Sequence, residues 1–299
     1  MLDVRLNTFI TVAKVKSFTR AGEILNLTQP AVSQHIKYLE EYYGVSLFKK
    51  QGKNIDLSEE GVLLYEYAEK MLLLHRDIED VLRNKSGIRR LYNVGASMTI
   101  GGYVLPSILA QYKNIHKNTD IILQVNNTEE IIDKLLNRKI DFALVEGSFD
   151  KKKFFYKRFK TDKLVLAVSS AHHFSGKNSV SVDEIIKGPL ILREKGSGTR
   201  QIFEDKLNKL GYNVQELRPY MEIGSIPAIK SLVEENLGYT IISRETIKKE
   251  LIAGTIRAIP IIEMDIDREF NFIYVEDNIK EFVEHFMLFA KNITGDNYE

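Results

Sequence analysis

Cysteine and tryptophan are absent from the 299-residue sequence, and only six prolines and six histidines occur. Without cysteine, the chain cannot form disulfides, bind zinc through thiolates or use a thiol nucleophile, which fits a reducing compartment. No apolar run approaches the roughly 18 residues that a membrane span needs. The first five residues include charges where a signal peptide would be apolar. We therefore expect a cytoplasmic protein that does not enter a membrane.

Length and composition indicate a globular chain of two or three domains. Apolar residues make up 44% of the sequence and charged residues 28%, which is sufficient for well-formed cores. The net charge is only +1, but it is unevenly distributed. Residues 1–58 contain eight Lys or Arg against five Asp or Glu, so this end is basic and the remainder is mildly acidic. The asymmetry is expected if only the N-terminal end touches phosphates.

The first 44 residues predict three helices. The first covers residues 3–15, Ser17 is expected to cap the second, and Thr28 is expected to cap the third. Gly44 is expected to end the third helix, because glycine readily adopts the left-handed conformation that follows a helix. Two short helices joined by a tight turn, followed by a longer helix, indicate a helix-turn-helix. The side chains predicted to face inward are Val4, Leu6, Phe9, Ile10, Val12, Ala13, Ala21, Ile24, Leu25, Val32, Ile36, Leu39 and Tyr43.

Short or flexible hydrogen-bonding side chains lie on the predicted outward side of the third helix, where they can reach base edges in a major groove. Residues 45–57 predict two short strands around a basic turn, a wing able to reach phosphates beside that helix. The candidates for DNA contact are Arg20, Thr28, Gln29, Pro30, Ser33, Gln34, Lys37, Lys49, Lys50 and Lys53, with His35 as a further outward position. The alternative is a plain three-helix packing module whose lysine-rich turn is only solvated.

The first 65 residues closely resemble the signature of the LysR-type transcriptional regulators. The matching segments are Phe18-Thr19-Arg20-Ala21-Gly22, Leu25, Leu27 to Ser33, Leu39-Glu40-Glu41, Gly44-Val45, Leu47-Phe48 and Leu57 to Gly61. The resemblance implies that the third helix enters the major groove and that the wing contacts the backbone. Three positions depart from the usual pattern: Gln34 and His35 replace a basic residue followed by glutamine, and Lys50 replaces arginine. Lysine keeps the charge but loses the bidentate fork, so we expect affinity for phosphates to survive. With these departures, the base preferences of relatives do not transfer.

A long helix is predicted over residues 59–88, with Ser58 as its cap and acidic residues in its first turn. Its apolar side chains alternate spacings of three and four, as in a heptad repeat: Leu64, Tyr67, Met71, Leu74, Ile78 and Val81. Either a partner helix or the rest of the same chain must cover this stripe. The resemblance implies a homodimer, often doubled to a homotetramer, on a pseudo-palindromic double-stranded DNA operator. RNA polymerase is a further candidate partner.

Beyond residue 89 the pattern changes to alternating strands and helices, which predicts an α/β fold with parallel strands. The pattern restarts after residue 163, which suggests two α/β subdomains facing a cleft. The resemblance implies the type 2 periplasmic-binding-protein fold for an effector-binding domain over residues 89–299. On that basis subdomain 1 comprises residues 89–162 and 266–299, and subdomain 2 comprises residues 163–265. The domain organisation is completed by a winged helix-turn-helix over residues 1–58 and the linker helix over residues 59–88.

Four loops with hydroxyls or glycines precede helices in this part of the sequence, and ligands of α/β folds bind at such loops. The candidate effector-binding residues are Ser97, Met98, Thr99, Thr128, Glu146, Gly196, Ser197, Gly198, Thr199, Gly224 and Ser225. Hydroxyls and amides at several helix starts favour a small carboxylate or oxyanion. The alternative for each loop is ordinary helix capping, with Arg200 paired to Glu204. If Glu146 faces the cleft, an amino-acid-like ligand is favoured; if it faces away, it is a solvated charge.

The main alternative class is an enzyme built on the two α/β subdomains. The sequence contains no HExxH spacing, no Gly-x-Ser-x-Gly elbow and no Walker loop. We therefore predict no catalytic residues, no metal site and no cofactor. A second alternative is an architectural DNA-binding protein without an effector, for which a sensor domain of about 200 residues would have no use.

Overall fold

The computed structural model describes residues 3–51, 54–84 and 90–295, and the chain forms two compact units. The N-terminal unit ends in the gap between residues 84 and 90, and the C-terminal unit follows it. Lys53 lies outside the described residues, as does the predicted end of the long helix near residue 87. In the described ranges, no helix combines the length and the apolar character that crossing a bilayer requires.

The N-terminal unit contains four helices and a two-stranded hairpin in its described part. The elements are α1 (Val4–Val15), α2 (Phe18–Leu25), α3 (Gln29–Tyr43), β1 (Phe48–Gln51), β2 (Asn54–Leu57) and α4 (Glu59–Asn84). The predicted caps are confirmed: the side chain of Ser17 accepts from the Arg20 amide, and that of Thr28 accepts from the Ala31 amide. Gly44 ends α3 at a φ of 70°. Local signals in the sequence therefore determine where these helices begin and end.

The core of this unit forms where the first three helices meet the start of α4. Phe9, Val32 and Ile36 are buried in it, together with Leu47. Three predicted inward positions are wrong, since Val4, Ile24 and Tyr43 are 60%, 56% and 48% exposed. They lie at the first residue of α1, in the last turn of α2 and at the last residue of α3.

The predicted wing is a hairpin in which β1 and β2 pair antiparallel, with Lys49 opposite Asp56 and Lys50 opposite Ile55. Lys49 and Lys50 therefore lie in the first strand and not in the turn, because the ladder extends further than the short apolar run suggests. Lys49 is exposed. The side chain of Lys50 lies outside what the structure describes.

The helix α4 carries an apolar stripe that its own unit leaves exposed. Tyr67, Met71, Leu74 and Ile78 are each at least half exposed. Leu64, predicted as part of this stripe, instead packs against the core of the unit, because the first turns of α4 close that core. The side chain of Val81 lies outside the described residues. The exposed stripe retains the three- and four-residue spacing of a helix-pairing seam.

The C-terminal unit contains a single mixed sheet with helices on its faces. Its elements are β3 (Arg90–Ser97), α5 (Met98–Tyr103), α6 (Leu105–Ile115), β4 (Thr119–Asn126), α7 (Thr128–Leu136), β5 (Phe142–Val145), β6 (Phe155–Ser169), α8 (Val182–Lys187), β7 (Leu190–Leu192), α9 (Gly198–Lys209), β8 (Met221–Glu222), α10 (Ile226–Glu234), β9 (Tyr239–Ser243), α11 (Lys248–Ala253), β10 (Ile256–Ile259), β11 (Ile266–Tyr274) and α12 (Lys280–Thr294). Short 3₁₀ helices lie between several of them.

The strand order is β4-β3-β5-β11-β6-β9-β7-β8, with β10 also paired to β6. Neighbouring strands are parallel around β3 and around β7, as predicted, but β6 and β11 run antiparallel to all their partners. The prediction of parallel strands is therefore wrong for the middle of the sheet. The strands β6 and β11 are far apart in the sequence, so their antiparallel pairing produces no βαβ spacing that the sequence could show.

The two long strands β6 and β11 connect two halves of the sheet. We call lobe 1 the half that contains β3, β4 and β5, with α5, α6, α7 and α12. Lobe 2 contains β7, β8, β9 and β10, with α8, α9, α10 and α11. Leu164 of β6 pairs with Ile266 on one side and Ser243 on the other, so the sheet passes from one lobe to the other at this position. Each lobe has an apolar core, around Ile131 in lobe 1 and around Phe203 in lobe 2.

Candidate functional site

The polar side of α3 is open to solvent. Gln29, Gln34 and Lys37 are exposed and Ser33 is half-buried, while Ile36 on the opposite side is in the core. The Gln29 amide nitrogen donates to the Ser33 hydroxyl over 2.8 Å, which holds two neighbouring polar groups together. A helix presenting such side chains along one exposed edge can contact base edges in a major groove.

The other predicted DNA-contacting residues surround this edge. Arg20 on α2 and Thr28 and Pro30 at the start of α3 are exposed. Lys37 lies 3.5 Å from the Glu41 carboxylate, an exposed pair that would exchange readily for a phosphate. The hydroxyl of Thr28 is already used to cap α3.

His35 does not belong to the open edge. Its Nδ1 lies 2.9 Å from the Thr8 hydroxyl of α1, so its ring packs between the two helices. The prediction that His35 faces outward is therefore wrong. The position was ambiguous in the sequence because it lies beside Ile36 and borders the buried side of α3.

In the C-terminal unit, the predicted effector loops of the two lobes touch each other directly. A Cβ atom built on Gly198 of lobe 2 would lie 2.3 Å from the Glu146 carbonyl oxygen and 2.7 Å from the Thr128 hydroxyl of lobe 1. One built on Gly147 would lie 2.9 Å from the Gly198 Cα. The Glu129 amide also donates to the Gly196 carbonyl across the lobes. These glycines allow close backbone contact between the lobes.

The hydroxyl side chains at these loops are buried in the contact. Ser97 bonds to the Glu146 carboxylate, and Thr128 donates to the Glu146 carbonyl over 3.0 Å. Thr99, Ser197 and Thr199 are also almost fully buried. The Ser197 hydroxyl has no hydrogen-bond partner in the structure, and it does not cap α9.

Ordinary helix capping, the alternative for each effector loop, is wrong for Thr128. The cap of α7 is Asn127, whose side chain accepts from the Glu130 amide, so Thr128 is the first helical residue. Its hydroxyl is consequently available to bond across to the strand that ends at Val145. Two adjacent residues with capping side chains made the position ambiguous in the sequence.

A buried charge cluster lies behind these loops and was not predicted. Arg268 of β11 donates from Nε to Asp162 of β6 over 2.7 Å and from Nη1 to the Thr199 hydroxyl over 2.9 Å. The Glu146 carboxylate lies 3.7 Å from the same Nη1, and Ser243 donates to Asp162 over 2.9 Å. The cluster thus connects both lobes through the two long strands.

Burial raises the pKa of the Asp162 carboxyl, although the Arg268 guanidinium beside it acts in the opposite direction. The interpretation of Glu146 as a solvated charge is wrong, because its side chain is buried at the contact between the lobes, 2% exposed and close to Arg268. The Nη2 of Arg268 has no partner in the structure. No motif in the sequence marks this cluster, because Asp162 and Arg268 are 106 residues apart and are brought together only by the pairing of β6 with β11.

The remaining candidate effector residues are Met98, Gly224 and Ser225, and each lies in a different environment. Met98 packs with the apolar cluster of lobe 2, and its sulfur lies 3.3 Å from Nη2 of Arg193. Gly224 is half-buried, and the exposed Ser225 caps α10 by accepting from the Ala228 amide. For Ser225, the structure therefore supports the alternative of ordinary capping.

Arg200 is used within lobe 2. Its guanidinium donates to Glu204 over 2.6 Å, to Glu222 over 2.5 Å and to the Arg193 carbonyl over 3.0 Å. The Arg200–Glu204 pair considered from the sequence is therefore confirmed. The Arg200 guanidinium also lowers the pKa of the Glu222 carboxyl.

A cavity of about 750 Å³ opens between α7 of lobe 1 and α9 of lobe 2. Its wall includes Thr128, Gly196 and Ser197, and it carries both positive side chains and carboxylates. The positive side chains are those of Lys195, Arg200 and Arg218, and the carboxylates are those of Glu129, Asp133, Glu204 and Glu222. No cluster of three or more potential metal ligands occurs among the described residues.

We expect Gly198→Ala to destabilise the C-terminal unit by about 1–3 kcal/mol, since its methyl group would overlap backbone of lobe 1. Urea unfolding measures the effect. The matched control is Gly102→Ala in α5, where a Cβ meets nothing within 4 Å and a helical alanine is favourable. Equal stability of the two variants would mean that the lobes do not need this contact.

A helix-turn-helix with an exposed polar edge, followed by a two-lobed α/β unit, defines a DNA-binding regulator with an effector-binding domain. Residues 4–62 match the family model described as "Bacterial regulatory helix-turn-helix protein, lysR family", and residues 85–292 match the model "LysR substrate binding domain". The chain belongs to the LysR family of transcriptional regulators.

Relatives and solved structures are similar over most of the chain. The uncharacterized HTH-type transcriptional regulator MJ0300 of Methanocaldococcus jannaschii is 37% identical over 265 residues, which cover 87% of this chain and 88% of the relative. CrgA of Neisseria meningitidis, a LysR-type regulator of known structure, is 19% identical with a TM-score of 0.65, covering 97% of this chain and 98% of that one. The regulatory domain of CcmR from Synechocystis PCC6803, in complex with 2-PG, is 22% identical with a TM-score of 0.61, covering 69% and 99%.

Proposed function

We propose that the protein binds a pseudo-palindromic DNA site as a homodimer and places the polar edge of α3 in the major groove of each half-site. The proposed contacts are Arg20, Thr28, Gln29, Pro30, Ser33, Gln34, Lys37, Lys49, Lys50 and Lys53. The observation that carries the proposal is the exposure of Gln29, Gln34 and Lys37 on a helix whose other side is fixed in the core. The exposed stripe of α4 supports the dimer, since a partner helix would cover it. A homotetramer and contact with RNA polymerase are further parts of the proposal.

We propose that the effector is a small anionic or amino-acid-like molecule bound between the two lobes. The proposed residues are Ser97, Met98, Thr99, Thr128, Glu146, Gly196, Ser197, Gly198, Thr199, Gly224 and Ser225. Support comes from the partnerless Ser197 hydroxyl and Arg268 Nη2 at the lobe contact, and from the mixed-charge cavity beside it. The related fold of the CcmR regulatory domain holds a small molecule, 2-PG.

Because the loops are in direct contact, a ligand that reaches the buried Thr199 hydroxyl would have to separate the lobes. We propose that this changes the angle between them, and that the change alters the spacing of the two DNA-binding units in the oligomer. The division proposed for this mechanism is residues 1–58 for DNA binding, 59–88 for dimerisation and 89–299 for the effector. Within the last, subdomain 1 is residues 89–162 and 266–299, and subdomain 2 is residues 163–265. A regulator of this kind would work in the cytoplasm.

The DNA contacts are tested with a duplex that the purified protein selects from a random pool, and with a scrambled duplex of equal length. Gln29→Ala and Ser33→Ala should each weaken binding to the selected duplex by about 1–3 kcal/mol and leave the scrambled duplex nearly unaffected. Lys49→Ala should weaken both alike and reduce the slope of affinity against salt by about one ion. The assigned roles are contradicted if all three variants lose the same affinity on both duplexes.

A further inference from the structure

Every residue from Lys151 to Lys160 is either basic or aromatic, with six of the former and four of the latter. Neither the DNA contacts nor the effector loops involve this segment. It comprises a turn over residues 151–153 and the first residues of β6, and it belongs to lobe 1. We call the part from Lys151 to Arg158 the basic edge.

The side chains of the basic edge are exposed on both sides of the strand. Phe155 and Tyr156 are 51% and 41% exposed, although consecutive residues of a strand point to opposite faces. Lys157 and Arg158, which follow them, are exposed as well. Only Phe154, just before the strand, is buried, and it anchors the segment in the core of lobe 1.

One side of the backbone has no neighbouring strand among the described residues. From Phe155 to Leu164, β6 pairs with β11, and its other neighbours, β9 and β10, join only at Leu164 and Leu166. An antiparallel strand directs alternate N–H and C=O groups away from its partner. The stretch from Phe155 to Arg158 therefore has the unpaired polar groups of an edge strand, to which another strand can be added.

The positive charge is concentrated in the turn. Lys157 lies 3.4 Å from Glu284, and Arg158 lies 3.5 Å from Glu269, so each is compensated within lobe 1. Among the described residues, no carboxylate lies within ion-pair distance of the side chains of residues 151–153. The Lys151 ammonium instead lies 4.9 Å from the centre of the Tyr156 ring.

We propose that the basic edge binds an extended acidic segment of a partner protein as an additional strand of the lobe 1 sheet. The added backbone would pair with Phe155 to Arg158, its carboxylates would meet Lys151 to Lys153, and its apolar side chains would pack on the exposed rings. Strand addition supplies the affinity through main-chain hydrogen bonds, and the lysines supply the preference for acidic sequences.

Three other roles fit the observations less well. A second copy pairing edge to edge would bring like charges together, which destabilises cross-strand pairs. Duplex DNA would meet the carboxylates of Glu284 and Glu269 beside Lys157 and Arg158, and it would use neither the rings nor the free backbone. The third role is protection of this sheet edge from aggregation. Charged side chains can protect an edge, but the exposed rings of Phe155 and Tyr156 would weaken that protection.

The test uses the full-length protein and a fluorescein-labelled nine-residue peptide that alternates glutamate and valine. We expect saturable binding by fluorescence anisotropy and slower amide hydrogen exchange in residues 155–158 on binding. Replacing Lys151, Lys152 and Lys153 together by glutamate should weaken binding about tenfold or more, because three exposed charge pairs are lost and reversed. The control variant reverses three distant exposed lysines, Lys187, Lys209 and Lys249.

A matched peptide with proline at alternate positions, which cannot donate main-chain hydrogen bonds, should bind at least tenfold more weakly. The proposal is overturned if both peptides bind equally, if the glutamate–valine peptide does not bind at 1 mM (a concentration at which even ~4 kcal/mol of binding free energy is detected), or if amide exchange is unchanged. It is also overturned if the triple variant keeps its peptide affinity and loses only affinity for a scrambled DNA duplex.

Discussion

Replacing Arg268 with methionine is expected to lower the free energy of unfolding of the C-terminal unit by about 3–5 kcal/mol. Methionine would leave the buried carboxylates of Asp162 and Glu146 without the guanidinium that now lies between them. It would also remove the donor to Thr199, and so a bond that connects β11 to α9. Removing one partner of a buried ion pair costs more stability than the pair contributed, because the remaining charge stays buried without compensation.

Urea unfolding at pH 7 measures this loss, with Arg257→Met on the exposed side of β10 as the control. Burial already raises the pKa of Asp162, and loss of Arg268 should raise that pKa further. The difference from the wild type should therefore shrink as the pH falls and Asp162 takes up a proton. Adding Asp162→Asn to the variant should recover part of the stability. If Arg268→Met were as stable as Arg257→Met, the cluster would not hold the lobes together.

Replacing Leu74 with glutamate should convert the proposed dimer into a monomer and weaken binding to the selected duplex by roughly 100-fold or more. Leu74 is 61% exposed in the middle of the α4 stripe, where two partner helices would bring two glutamates into one apolar seam. A monomer binds one half-site at a time and loses the advantage of two linked contacts.

Light scattering with size-exclusion chromatography measures the mass, and gel-shift titration measures the affinity. Glu66→Lys is the control, because it changes the charge of α4 at a position outside the heptad seam. A dimer with unchanged DNA affinity in Leu74→Glu would show that the stripe is covered by something other than a partner helix.

The N-terminal unit could be predicted largely from its sequence because local signals determine its elements. Ser17, Thr28 and Gly44 act on amides and dihedral angles within a few residues, so their effect is readable without the fold. The errors at Val4, Ile24 and Tyr43 all lie at helix ends, where burial depends on which other elements pack there. That packing is a tertiary property.

The effector region was less predictable because its contacts connect distant parts of the chain. Arg268 and Asp162 are 106 residues apart in sequence, and only the two long antiparallel strands bring them together. Gly196 and Gly198 could be singled out as candidate effector residues, but their neighbours in the fold could not be predicted. A missing Cβ allows a ligand or another backbone to approach, and at Gly198 it is the backbone of the opposite lobe that does so. At Gly196 the nearest atoms belong to the side chains of Glu129 and Asn127.

Chemical protection of guanine N7 on the selected duplex tests most directly whether α3 reads DNA from the major groove, because N7 is accessible only from that groove. We predict two sets of protected guanines, centred about one helical turn or a multiple of it apart, in the wild-type complex. At least one guanine or neighbouring base in each set should lose protection in Gln29→Ala. Contacts confined to the minor groove or the backbone, or N7 protection identical in both proteins, would contradict the account.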